Sequence, residues 1–201
     1  MNRNNKPSAA YLVAIAASLA LAGCGAATPQ QEPPLAGSTI GGDFTLTGSK
    51  GQTVRWGDFA GKYRIVYFGF TFCPDICPTD MQRVAQGLKI LKGKDAELAA
   101  KVVPIFISVD PERDTPAVVG EFAAAFSPDM VGLTGTPDQI AATAKTFKVA
   151  YAKEPPAKNG SYLMQHSTIV YLFGPDGAPI ATLPTDLGAE AVAAELERWV
   201  S

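Results

Sequence analysis

The chain has 201 residues, of which 47% are hydrophobic and 18% charged, a globular composition and not a disordered one. Its 17 basic and 19 acidic residues leave a net charge of −2, without the basic footprint of a nucleic-acid binder. One histidine and three cysteines exclude a two-histidine metal site, a four-cysteine zinc or iron–sulfur site and a multi-disulfide scaffold within one chain.

At the N-terminus, Arg3 and Lys6 form a short positive head with no acid nearby, followed by an apolar run from Leu12 to Ala22. The run is shorter than the roughly 20 residues of a comfortable membrane span. It ends in Leu21-Ala22-Gly23-Cys24. Small residues before a cysteine at the end of such a run resemble a bacterial lipoprotein signal, in which the chain is cleaved before the cysteine and the cysteine carries lipid. Residues 1–23 are then the signal peptide and Cys24 the lipidation site. The alternative is an uncleaved anchor with an incidental cysteine. Either reading places the body outside the cytoplasm, tethered to a membrane. Residues 24–39, with Pro29, Pro33 and Pro34 and no apolar periodicity, read as a flexible tether. Residues 40–201 are enough for one domain with a single core and too few for two.

In chain order, residues 44–47 and 53–56 flank the turn-rich Gly48-Ser49-Lys50-Gly51 and predict a hairpin. Residues 64–70, RIVYFGF, predict a buried strand. A helix is expected to start at Pro78, with Met81, Val84, Leu88 and Leu91 at helical spacing. Residues 102–109 form a second buried strand, 116–126 a helix, 131–133 a short strand and 137–147 a helix. Residues 152–165 read as a mobile loop. Residues 168–173 and 179–183 flank Gly174-Pro175-Asp176-Gly177, a strong hairpin turn. Residues 189–200 close the chain as a helix. Alternating strands and helices predict an α/β domain: a central mixed sheet flanked by helices, with an N-terminal β-hairpin, in a thioredoxin-like layout.

Two of the cysteines, Cys73 and Cys77, fall between a buried strand and a helix start, where open α/β sheets collect their chemistry. Cys77 is expected at the N-cap, where the helix dipole lowers a thiol pKa. Two thiolates there can bind a soft metal or close into a disulfide. A five-residue loop gains little from a staple, so a purely structural disulfide is a weak reason for the pair. A simple thiol–disulfide oxidoreductase shows two residues between its cysteines, and here there are three. The lone His166 opens the 168–173 strand, which a thioredoxin-like layout sets opposite the first strand-to-helix turn, near both sulfurs. Two thiolates and one imidazole suit copper, Cu(I) or Cu(II); zinc is not excluded by ligand type, but a structural zinc wants four ligands.

Tyr67-Phe68-Gly69-Phe70-Thr71-Phe72-Cys73-Pro74-Asp75-Ile76-Cys77-Pro78 resembles the signature of the Sco/SenC copper-chaperone family. Ser108-Val109-Asp110-Pro111-Glu112-Arg113-Asp114-Thr115-Pro116 resembles its second motif. His166-Ser167-Thr168, followed by Tyr171-Leu172-Phe173-Gly174-Pro175-Asp176-Gly177, resembles its third. The resemblance implies a membrane-tethered thioredoxin-like protein that binds copper through Cys73, Cys77 and His166. It implies partners: a copper donor, and cytochrome c oxidase subunit II or another copper-site recipient. It also implies that Asp110 is an outer group or weak axial ligand that orients the site. The plain alternative for Asp110 is a loop-capping residue, and Arg113 and Asp114 read as structural.

Two functions from different classes compete. A copper chaperone needs His166; a thiol–disulfide reductase that keeps the partner's cysteines reduced needs only the Cys73–Cys77 pair, one thiol attacking and one resolving. A peroxiredoxin is disfavoured because Phe70 stands where a threonine is wanted, three residues before Cys73.

Overall fold

The computed structural model describes Met1 and residues 31–201. The chain divides into two units, Met1–Glu32 and Pro33–Ser201, and the second holds every helix and strand among the described residues. The expected signal peptide, Cys24 and the tether up to residue 30 lie outside the described residues. From Pro33 the expected tether is part of the folded unit. Leu35 packs against the core and donates its amide to the Ile180 carbonyl, while Ala36 and Ser38 close turns onto Pro33 and Leu35. The folded unit therefore begins near Pro33, earlier than residue 40, because one leucine among prolines and small residues finds an apolar seat.

The elements run β1 (Thr45–Gly48), β2 (Thr53–Arg55), β3 (Tyr63–Gly69), α1 (Ile76–Lys94), α2 (Ala96–Ala99) and β4 (Val102–Ser108). They continue with α3 (Pro116–Phe126), β5 (Val131–Thr134), α4 (Pro137–Thr146), β6 (Tyr151–Lys153), β7 (Met164–His166), β8 (Val170–Phe173), β9 (Pro179–Leu183) and α5 (Ala189–Trp199). Seven strands form one sheet in the order β2-β1-β5-β4-β3-β8-β9. The pairs β3–β4 and β4–β5 are parallel and the others antiparallel, so the sheet is mixed, as expected. β3 lies between β4 and β8 and is buried along its whole length, which is why its sequence reads as an unbroken apolar and aromatic run.

α1 packs against α5 and α3 on the face that carries Tyr67, Phe106 and Phe122. The other face holds Phe44, Trp56, Phe68, Phe147 and Phe173, joined through edge-to-face and tilted ring contacts. Gly87 lets α1 approach α5: a Cβ there would meet Val192 Cγ1 at 2.6 Å.

Two elements depart from the sequence expectation. Residues 152–165 are not simply a loop. Their ends belong to β6 and β7, a separate two-stranded sheet in which Tyr151 pairs with His166 and Lys153 with Met164. The short α2, capped by Asp95 accepting from the Leu98 amide, was not foreseen.

The connectivity fixes where chemistry can sit. β3, β4 and β5 end at one rim of the sheet. β8 begins at that rim and β9 ends there, since Tyr67 pairs with Val170 and Val170 with Leu183.

Candidate metal centre

The chain leaves β3 after Gly69 and turns through residues 70–75. Gly69 is required by packing: a Cβ would lie 3.0 Å from Cys77 Sγ and 2.9 Å from the Tyr67 ring. Fully buried Asp114 holds the turn. It accepts from the Thr71 hydroxyl (2.6 Å), the Thr71 amide (3.0 Å) and the Ser108 hydroxyl (2.5 Å). Burial pushes the Asp114 carboxyl up, and the donors from Ser108 and Thr71 oppose this.

The expectation that Cys77 is the N-cap is corrected. Asp75 occupies the N-cap, Ile76 is the first helical residue and Cys77 the second. Pro78 is therefore third, a position tolerated because the first amides of a helix have no intrahelical partner. One of those amides, that of Cys77, donates to Cys73 Sγ at 3.4 Å. The expected lowering of the Cys77 thiol pKa is also corrected. Cys77 is fully buried, and desolvation pushes its thiol well up; the Phe70 amide offsets only part of this.

His166 is the last residue of β7. Its Nδ1–H donates to the Ser167 carbonyl (3.1 Å), which leaves Nε2 free to accept from the Cys77 thiol at 3.2 Å. Its ring stands edge-on to Tyr67 and Phe70, with centroids 5.9 and 5.8 Å away. Cys73 Sγ, Cys77 Sγ and the His166 ring nitrogen lie within 4.8 Å of one another. These three residues, of which Cys77 and His166 are 89 positions apart, are the His/Cys/Asp/Glu group among the described residues that could hold a metal ion. The backbone acceptor for Nδ1 fixes the ring tautomer so that the free lone pair points at the sulfurs, the usual support for a metal-ligating histidine.

Sequence reasoning missed the floor of the site. The Tyr67 hydroxyl faces Cys77 and Asp80. Asp80 is buried and also faces Thr185, and desolvation pushes its carboxyl up. The alternation of β3 carried the signal for Tyr67, since residues 67 and 69 share a face and Gly69 underlies Cys77. Asp110 stands at the same rim, but neither of its oxygens joins the triad. Arg113 Nε donates to Oδ2 and the Tyr162 hydroxyl to Oδ1.

Burial lowers the His166 pKa below its ordinary 6.5, so the folded domain holds a neutral imidazole. As pH falls below 6.5, the unfolded chain gains a proton the folded chain refuses, and stability drops until the folded histidine also titrates. His166→Ala should remove this component. Equilibrium denaturation of both proteins at about pH 7.5 and about pH 5 measures it. Identical losses in the two proteins would contradict the buried neutral histidine.

Comparison with known proteins places this geometry in a family. The SCO1/SenC family model matches residues 32–201. Protein SenC of Rhodobacter capsulatus is 45% identical over 140 residues, covering 70% of this chain and 61% of that protein. The structure of Bradyrhizobium japonicum ScoI with copper bound is 40% identical, with a TM-score of 0.72 over 80% of this chain and 99% of that one. BsSco, in which a disulfide switch was identified, is described as a member of the Sco family of cytochrome c oxidase assembly proteins. It is 27% identical, with a TM-score of 0.60 over 83% of this chain and 95% of that one. The chain spans about half the length of the curated relatives it matches, from 43% to 62%. With a match across the whole folded unit and three ordered motifs, the chain belongs to the SCO1/SenC family.

Proposed function

We propose that this protein is a copper chaperone that carries one copper ion on Cys73, Cys77 and His166 and passes it to the dinuclear copper site of cytochrome c oxidase subunit II. The observation that carries the reading is the convergence of two sulfurs and one oriented imidazole nitrogen within 4.8 Å from separate segments. Two thiolates satisfy soft Cu(I) in low coordination, and the imidazole extends the set to Cu(II). Copper is cargo, so the site must release it. A recipient's thiolates replace those of this chain one at a time, and partial exposure of Cys73 gives them an entry.

A docking face accompanies the site. Phe72, Ile76, Leu163 and Ile169 are large hydrophobics exposed in the folded unit; Phe72 and Ile76 adjoin Cys73 and Cys77 in the chain, and Leu163 and Ile169 each lie three residues from His166. Exposed apolar side chains gathered around one site mark a protein contact. Lipid on Cys24 would hold the domain at the outer face of a membrane; the support is the Arg3 and Lys6 head, the apolar run and the small residues before the cysteine.

Titration of reduced wild type and His166→Ala with copper, followed by absorbance, tests the reading. Wild type should take up one copper per chain, with a thiolate-to-Cu(II) charge-transfer band. The variant should bind more weakly, with an altered band. Equal binding by the two would overturn the three-ligand site.

The second reading is reduction of the recipient's cysteines. Both thiols are free and close, one partly exposed and one buried. Cys73 thiolate would attack a partner disulfide, and Cys77 would resolve the mixed disulfide. The partner then leaves as a dithiol and this chain as a Cys73–Cys77 disulfide. The same His166→Ala variant separates the readings, because thiol exchange survives without the imidazole.

A further inference from the structure

We infer that Arg113 is a positioning residue that sets His166 against the two sulfurs. This rests on the copper-binding reading above. His166 does not belong to the main sheet. It ends β7, in the two-stranded β6–β7 sheet; Met164 seats that hairpin in the core, and a cluster centred on one guanidinium ties its Tyr162 end to the rim. Arg113 NH1 donates to the Tyr162 carbonyl at 3.0 Å, four residues before His166. The guanidinium carbon lies 3.6 Å from the centroid of the Tyr162 ring and 4.8 Å from that of Phe72, the neighbour of Cys73. It also lies 5.8 Å from the ring of Phe70, which stands edge-on to His166.

Asp110 fixes the guanidinium from below. One carboxylate oxygen accepts from Arg113 Nε and the other from the Tyr162 hydroxyl at 2.9 Å. Lys153 of β6 adds an ion pair to Glu112, and its Nζ lies 4.0 Å from the centroid of the Tyr162 ring. The residues that follow β4 therefore grip the ligand-bearing hairpin on one side and the cysteine turn on the other. Asp110 thus gains a role, as the seat of this clamp.

The chemistry calls for arginine. A planar, permanently charged fork can meet aromatic faces while its edges donate to a carboxylate and a carbonyl. Lysine keeps the charge and loses the plane and the second donor direction. A loosened hairpin would leave the dithiol pair on the turn and α1 intact and let the imidazole drift. Outer groups that orient a metal-ligating histidine are typically worth about 10–100-fold in metal affinity.

A double-mutant cycle on the full chain tests this. Arg113→Met, His166→Ala and the double variant are titrated with Cu(I) against a chromophoric chelator and examined with Cu(II) by absorbance and electron paramagnetic resonance. Arg113→Met should weaken copper at least about tenfold and give the His166→Ala spectrum. In the His166→Ala background the same substitution should change nothing further. Arg113→Lys should behave as Arg113→Met, and it serves as the second variant should Arg113→Met fold poorly. A wild-type spectrum and affinity in Arg113→Lys overturns the inference. So does a loss that adds in full to that of His166→Ala, because Arg113 then acts on the cysteine turn or the fold. Identical copper binding by wild type and His166→Ala would instead overturn the three-ligand reading, so the two failures are distinct.

Discussion

Cys77→Ser should abolish useful copper uptake while leaving a folded domain. Cys77 is fully buried at the second position of α1, and its sulfur meets His166 Nε2 at 3.2 Å. A serine hydroxyl fits the same space and finds the same imidazole as acceptor, so the fold loses little. The metal loses one of its two thiolates, and hydroxyl is no substitute for a soft ligand. Groups that merely orient ligands are worth about 10–100-fold, so loss of a ligand should exceed about 100-fold. Competition with a chromophoric Cu(I) chelator under reducing conditions measures it. An affinity within about tenfold of wild type would mean that copper sits elsewhere.

The largest effect on folding is expected at Asp114. Truncation to alanine strands the hydroxyl of fully buried Ser108 and the amide and hydroxyl of part-buried Thr71. An orphaned buried donor costs about 1–3 kcal/mol, so the variant should lose about 3 kcal/mol or more. That is a large part of the roughly 5–15 kcal/mol that holds a domain together. Asp114→Asn retains an acceptor and should lose less. Urea denaturation of the three proteins gives the values, and an unchanged midpoint for Asp114→Ala would show that these hydrogen bonds carry no net stability. Thr71 is two residues before Cys73, so the loss should also loosen the cysteine turn.

What could be read in the sequence follows from how local its physical cause is. β3 announces itself because a strand buried on both faces must be apolar throughout. α3 and α4 begin where a threonine followed by proline predicts, and Thr115 and Thr136 do cap them. The two cysteines and the histidine were legible as scarce thiol and imidazole side chains at the right places in an α/β order. The start of α1 was not, because proline is tolerated at any of the first helical positions and does not say which one it takes. The thiol pKa was read from the helix terminus alone. The burial that dominates it comes from Gly69, Tyr67 and Phe106 underneath. The β6–β7 hairpin escaped notice because little of it is apolar: Met164 enters the core, Ala152 and Lys153 are exposed, and Arg113 and Asp110 hold its Tyr162 from a distant part of the chain. No periodicity within residues 152–165 encodes a partner 49 positions away.

The docking of Leu35 onto Ile180 has a mechanical consequence. Ile180 lies early in β9, beside the Phe173–Pro179 pair, and Phe173 pairs with Arg64 at the beginning of β3. The thiols follow the end of β3, a strand of seven residues, about 20 Å away. A pull on the chain before Pro33 is therefore taken up by β9 and the Gly174–Gly177 turn, and little of the load reaches the cysteine turn.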